Sequence, residues 1–195
     1  MSHESHDYGE EEVSTMLVDD STLEGEGFTS SIPFEVHAES DCLVICCSDH
    51  RFQQQNIEFL RALGYRSPEV LQFPSGVSLA HSMVASVNFL SKAVEKLIDK
   101  AVELTGVDTV VCIAHEDCGG YKAGRVRLIG KLTQRMSGKS VEEIQHDHLV
   151  DAVSFLQRYL RKVRVRAFFA DIVDGEGGPR VSYREVSPTG HKSNR

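Results

Sequence analysis

No stretch of this chain comes near the roughly 18 consecutive apolar residues that a membrane span requires, so no membrane partner is expected. The opening Met1-Ser2-His3-Glu4 lacks both a positive n-region and an apolar stretch, the parts of a secretory signal, and the expected compartment is the cytoplasm. A disulfide framework is missing too. Five cysteines in 195 residues are an odd number without a small, stapled scaffold around them, which suits a reducing compartment where thiols are core residues, ligands or nucleophiles. Neither a fixed-period repeat nor an interior linker interrupts the chain, which argues against a solenoid and against two folded domains. Lysine and arginine are absent from residues 1–40, where eleven Asp and Glu stand.

What is present is the composition of a soluble globular protein, 41% hydrophobic and 26% charged, with length enough for one domain and its own core. The net charge of −8 is concentrated at one end: beyond residue 40 there remain 18 acidic against 21 basic residues, a balance of +3. Residues 1–40 therefore read as an acidic, flexible N-terminal arm that cannot bury enough apolar surface to offset ordering entropy. Its short apolar stretches, such as Met16-Leu17-Val18, suit docking on a partner subunit. Residues 41–195 read as a single folded domain.

Within that domain, Cys42-Leu43-Val44-Ile45-Cys46-Cys47 is an apolar run of strand length without helical periodicity, as expected of a buried parallel strand. Gln53 to Leu63 has Ile57, Leu60 and Leu63 at turn spacing and Gly64 as a stop, which predicts a helix. Val70 to Phe73 predicts a second strand. From Leu79 to Leu104, residues Met83, Val87, Leu90, Val94, Leu97 and Ala101 recur every three or four positions, the pattern of a long amphipathic helix. Thr109 to Ala114 predicts a third strand, and a polar, basic connection runs from Lys122 to Lys139. Ser140-Val141-Glu142-Glu143 has the form of a capping box opening a helix through Leu160. Val165 to Val173 predicts a fourth strand, Asp174 to Gly178 a turn, and Val181 to Val186 an antiparallel edge. Alternating strands and helices predict an α/β fold: a mainly parallel central sheet of four strands plus an antiparallel edge strand, flanked by helices. Ligands gather at the carboxyl ends of such strands.

Two of those ends carry chemistry. The first strand runs into Cys47-Ser48-Asp49-His50-Arg51 and the third into His115-Glu116-Asp117-Cys118. His115 and Cys118 are spaced so that one tight turn brings imidazole and thiolate to one ion, and Cys47 offers a third donor from the strand that a parallel sheet places alongside. Two thiolates and an imidazole are a set that zinc takes with one position left open. The competing reading is that these are core or redox thiols, as Cys42, Cys46 and Cys112 are expected to be inside their apolar runs. Asp49 and Arg51, two and four positions beyond Cys47, form either a reactive pair or a turn-capping acid with a structural ion pair.

The motifs CSDHR and HEDCGG, each after an apolar strand and with a long helix between, resemble the zinc signatures CxDxR and HxxC of the β-class carbonic anhydrases. The resemblance runs from roughly Cys42 to Val186. It implies that Cys47, His115 and Cys118 bind Zn2+, with Asp49 and Arg51 as the catalytic acid–guanidinium pair and Asp49 as a conditional fourth ligand. The implied activity is reversible hydration of carbon dioxide to bicarbonate by a zinc-bound hydroxide, in a homodimer or higher homo-oligomer. One segment departs from the family: where an Arg-Asn-Ala-Gly-Asn-like stretch usually follows the second strand, this chain has Gln72 to Ser78, which keeps only the glycine. Two other functions are therefore carried along, a carbonyl sulfide or carbon disulfide hydrolase on the same metal centre and a noncatalytic zinc-binding homologue.

Other features read more plainly. His50 and His81 are titratable near neutrality and suit a proton shuttle, but surface or packing roles account for them as well. His146 and His148 lie two apart on a helix, on different faces, and make no second metal site. Ser137-Gly138-Lys139-Ser140 lacks the upstream glycine and preceding strand of a phosphate loop. Arg158, Arg161, Lys162, Arg164 and Arg166 have no aromatic interleaving, so a solvated helix end is expected there and no nucleic acid partner. Gly119 and Gly120 suit either a close backbone approach to the metal loop or an ordinary turn.

Overall fold

A computed structural model describes residues 39–77, 88–122 and 138–187. By its contacts the chain falls into two units, Met1–His37 and Ala38–Arg195, and the described residues belong to the second. All but the last two residues of the expected acidic arm, His81, Ser137 and most of the basic connection lie outside them.

The elements are β1 (Cys42–Cys47), a single 3-10 turn (His50–Phe52), α1 (Gln53–Ala62), β2 (Pro68–Phe73), α2 (Asn88–Thr105), β3 (Thr109–His115), α3 (Gly119–Lys122), α4 (Val141–Tyr159), β4 (Arg164–Gly175) and β5 (Gly178–Glu185). The strands form one sheet in the order β2-β1-β3-β4-β5. Four are parallel and β5 returns antiparallel along β4. This is the expected α/β architecture.

Every residue of β1 and β3 is buried, because each has neighbours on both sides and helices over both faces. The two-residue period of a strand sorts their side chains into two layers. Leu43, Ile45, Val110, Cys112, Ala167 and Phe169 join Ile98 of α2 and Leu149, Val153 and Leu156 of α4. Cys42, Val44, Cys46, Val111, Ile113 and Phe168 join Phe52 of the 3-10 turn and Leu60 of α1 on the opposite face. The thiols of Cys42, Cys46 and Cys112 are thus core residues, as expected.

The helix boundaries follow local chemistry. α1 ends at Ala62 and is capped by Leu63, with Gly64 in the left-handed region at φ 94°. At the start of α4 the Glu143 amide donates to Ser140 Oγ at 3.1 Å while the Ser140 amide donates to Glu143 Oε2 at 2.7 Å, the reciprocal pair the sequence predicts. Of the long helix expected over Leu79–Leu104, the described part is Asn88–Thr105; Met83 and Val87 lie outside the described residues.

Four elements differ from expectation. β2 begins at Pro68, two residues early, which an edge strand tolerates at its first position. β4 and β5 run further toward each other than their apolar residues suggest, with pairing continuing to Gly175 opposite Gly178, so the turn narrows to Glu176-Gly177. Exposed polar residues join that ladder because backbone pairing, not burial, holds its tip. Gly119–Lys122 forms a short helix in place of an ordinary turn.

Candidate metal centre

Parallel pairing of β1 with β3 sets their carboxyl ends side by side, with Cys46 opposite Ile113. Cys47 is the last residue of β1 and His115 the last of β3. Strand alternation turns Cys47 toward α4, where it meets Cys118, Tyr121 and Val141, and turns His115 toward Phe52, whose ring lies 4.1 Å away centre to centre. The loop carrying Cys118 is pinned to β4: the Glu116 amide donates to the Ala170 carbonyl at 2.9 Å, and Glu116 Oε2 accepts from the Ile172 amide at 2.9 Å. The Asp117 backbone then turns through φ 59°, and Cys118 comes back beneath the strand ends.

The result is a gathering of three donors, Cys47 Sγ, Cys118 Sγ and a His115 ring nitrogen, all within 4.8 Å of one another. The two sulfurs are 3.6 Å apart. Two thiolates on a tetrahedral zinc ion, each at about 2.3 Å, are separated by about 3.8 Å, so the spacing suits such an ion. His115 Nδ1 lies 2.7 Å from the Glu116 carbonyl, which can only accept, so Nδ1 carries the proton. Nε2 is left with a lone pair, buried and without a hydrogen-bond partner. A buried acceptor in that state is costly unless something electrophilic meets it. The donor set, the sulfur spacing and the orphaned nitrogen all fit a divalent ion.

The thiols agree. The Cys118 hydrogen bond, opposed by burial and helped by His115, draws Cys47 well below the ordinary thiol range, while the same bond and burial push Cys118 up. A cation bound between the two sulfurs would displace the proton of that hydrogen bond. Burial instead pushes Cys42 up to about 12, Cys46 to about 11 and Cys112 to about 12, leaving them inert.

Beside the cluster, Asp49 caps the 3-10 turn by accepting from the Arg51 amide at 3.1 Å. Its carboxylate also takes Arg51 Nε at 3.0 Å on Oδ1 and Nη2 at 2.7 Å on Oδ2. These bonds from Arg51 outweigh desolvation and hold the Asp49 carboxyl down at about 2. The turn-capping and ion-pair readings of Asp49 are therefore both present in one geometry. Asp49 stands outside the group of three converging donors.

By sequence, no protein-family model and no curated protein matches the chain. Among solved structures it is similar to a tetrameric β-carbonic anhydrase from the ascomycete Sordaria macrospora, with a TM-score of 0.50 and 19% identity over 76% of this chain and 82% of that one. The fold is the β-carbonic-anhydrase fold. The chain is also similar to the β-carbonic anhydrase of Aspergillus fumigatus, at 16% identity, 76% of each chain and TM-score 0.48. A carbonic anhydrase from Streptococcus mutans follows at 15% identity, 85% of this chain and 91% of that one, with TM-score 0.44.

Within this β-carbonic-anhydrase fold the remaining candidates separate. His50 is exposed on the 3-10 turn. His146 lies against the Phe169 ring, whereas His148 bonds the Tyr121 hydroxyl at 3.0 Å, so the two histidines serve different neighbours. Among the described residues no second cluster of metal-binding side chains gathers. Arg166 pairs with Glu185 at 3.0 Å and covers the Phe168 ring.

Several contributors escape a reading of the sequence. The glycine kept in the divergent segment, Gly76, has φ 57°, and a Cβ there would lie 3.2 Å from the Cys47 amide nitrogen and 3.3 Å from both the Cys46 carbonyl carbon and the Ile113 oxygen. Gly120 does make the close approach that was one of its two readings, but its neighbour is the Pro74–Gly76 loop, which the sequence does not name: a Cβ there would come within 2.7 Å of the Ser75 amide nitrogen. Asp117 is the third. It sits between two of the gathered donors, yet nothing local distinguishes it from an ordinary loop aspartate.

Proposed function

We propose that this chain is a divergent, zinc-dependent β-carbonic anhydrase that interconverts carbon dioxide and bicarbonate. The observation that carries the proposal is the convergence of Cys47, Cys118 and His115 within 4.8 Å, with His115 Nε2 buried and unpartnered. In this reading Cys47, His115 and Cys118 hold zinc and leave one coordination position for water. Zinc so held supplies a water acidified from 15.7 toward about 7. Two thiolates give the ion more negative charge than imidazoles would, which weakens that acidification and makes a nearby acceptor valuable. Asp49 is that acceptor: it takes a hydrogen bond from the nucleophile and turns its lone pair toward the carbon of the substrate. Arg51 holds the carboxylate on both oxygens, so it keeps one direction, which a lysine would not impose.

The tetrameric state of the Sordaria enzymes supports a homo-oligomer here. Five cysteines without a disulfide support a reducing, cytoplasmic setting. We take residues 41–195 to be the zinc domain and residues 1–40 an acidic arm.

Metal analysis coupled to stopped-flow hydration tests this. One zinc per chain is expected, and Asp49→Asn should retain it while hydration falls on the order of 10²-fold or more. Protein that stays metal-free after zinc-replete purification overturns the proposal. Turnover of carbonyl sulfide without hydration would assign the centre to the hydrolase reading, and bound zinc with neither activity to a noncatalytic homologue.

A further inference from the structure

We propose that Asp117 is a positioning residue, which fixes Arg51 and through it holds Asp49 beside the metal donors and off the metal. The inference rests on the metal-centre reading above and adds a residue to it. Arg51 presents a rigid, planar fork of five N–H donors. Its Nε and Nη2 face Asp49, at 3.0 Å to Oδ1 and 2.7 Å to Oδ2. The other side of the fork faces Asp117: Nη1 donates to Asp117 Oδ2 at 2.9 Å and Nη2 to the Asp117 carbonyl at 3.2 Å. Because the guanidinium is flat and stiff, fixing Nη1 fixes the direction of the edge that grips Asp49.

Asp117 is itself held. Its backbone occupies the left-handed region at φ 59°, which Asp tolerates better than most residues, and Lys122 pairs with its remaining oxygen. One residue back, Glu116 is tied to β4 by backbone and side chain. A line of restraint therefore runs from β4 through Asp117 and Arg51 to Asp49, joining the loop after β3 to the loop after β1.

A simple stabilising staple does not account for this arrangement. The Arg51 and Asp117 side chains are 46% and 38% exposed, and ion pairs in that setting contribute little to folding. Orientation is what a bond on each side of the fork supplies. Asp49 is two residues from Cys47, and a carboxylate released from Arg51 beside a divalent ion with an open position becomes a competing ligand.

The test uses the full chain loaded with cobalt, with azide binding followed by visible absorbance. Asp117→Gly keeps the backbone conformation and removes the carboxylate; it should weaken azide binding about tenfold, as Asp49 takes the open position. Asp117→Asn keeps one acceptor oxygen and the left-handed backbone, and should stay close to wild type. In an Asp49→Ala background, Asp117→Gly should have no further effect, since the competing carboxylate is gone. An equal loss in that background, no loss in Asp117→Gly alone, or a cobalt-loaded wild type that takes no azide overturns the inference. Wild-type protein that takes up no metal defeats the proposed function instead. In that case the clamp is read in metal-free protein from the Arg51 Nη resonances, resolved in wild type and Asp117→Asn and averaged in Asp117→Gly, and resolved signals in Asp117→Gly overturn it.

Discussion

Gly76→Ala tests whether the divergent Pro74–Gly76 loop keeps its glycine for the metal centre. At φ 57° a non-glycine residue costs about 1–2 kcal/mol. The added methyl also meets the Cys47 amide nitrogen, the Cys46 carbonyl carbon and the Ile113 oxygen at 3.2–3.3 Å. All three are backbone atoms in the two central strands, so none can rotate aside, and overpacking of this kind costs roughly 1–3 kcal/mol. The reduced freedom of the unfolded chain returns about 0.4–1 kcal/mol. The balance is a loss of about 1–4.6 kcal/mol, and with about 2–4 °C per kcal/mol in a chain of this size, a melting temperature lower by about 2–18 °C. Gly106→Ala separates the two contributions: its φ of 68° carries the backbone cost, but nothing lies within 4 Å of a Cβ there. That variant should lose only about 1 kcal/mol. Calorimetry on both proteins, stripped of metal so that binding does not enter, makes the comparison. Should the two variants melt together, the close approach at Gly76 is not what the residue is kept for.

Other outcomes follow from the same geometry. Removing zinc with a chelator from protein held at 1,000 times its dissociation constant should cost about 4 kcal/mol, read as a melting temperature about 8–16 °C lower. His115→Ala should lose that zinc dependence. Ser140→Ala removes the oxygen that accepts from the Glu143 amide and should destabilise by about 1 kcal/mol in urea titration, with the metal stoichiometry unchanged. Arg166 holds the Glu185 carboxyl below its ordinary range. With the folded value depressed, the pair's contribution is complete above the unfolded carboxylate's pKa and is lost as pH falls through the folded value. The gap in urea midpoint between wild type and Glu185→Gln should therefore be present at pH 7 and close below about pH 4, and a gap independent of pH would count against the pair.

What the sequence made legible was whatever burial writes locally. β1 throughout and β3 from Val110 to Ala114 are unbroken apolar runs because they are covered on both faces, and that signature needs no knowledge of their partners. Their ends could then be placed together, since parallel neighbours share a carboxyl edge, and Cys47, His115 and Cys118 do meet there. The Ser140 capping box was equally readable, being complete within four residues. Contacts between distant segments were not. The tip of the β4–β5 ladder is made of Val173, Asp174, Pro179 and Arg180, a mixture with no alternating pattern, held by backbone pairing and by the Arg180 guanidinium on the Glu176 carbonyl. The role of Gly76 depends on β3, and that of Asp117 on Arg51, 66 residues earlier in the chain.

The two core layers are separate on either side of the sheet, and the gathered donors draw on both. His115 belongs with Phe52 on the α1 side, Cys47 and Cys118 with Tyr121 and Val141 on the α4 side. An ion bound by all three is a rivet through the seam of a three-ply laminate. Neither ply would then open alone without breaking a coordinate bond, so a metal held there would make unfolding more cooperative as well as less favourable, with the slowest amide exchange expected where the plies are fastened.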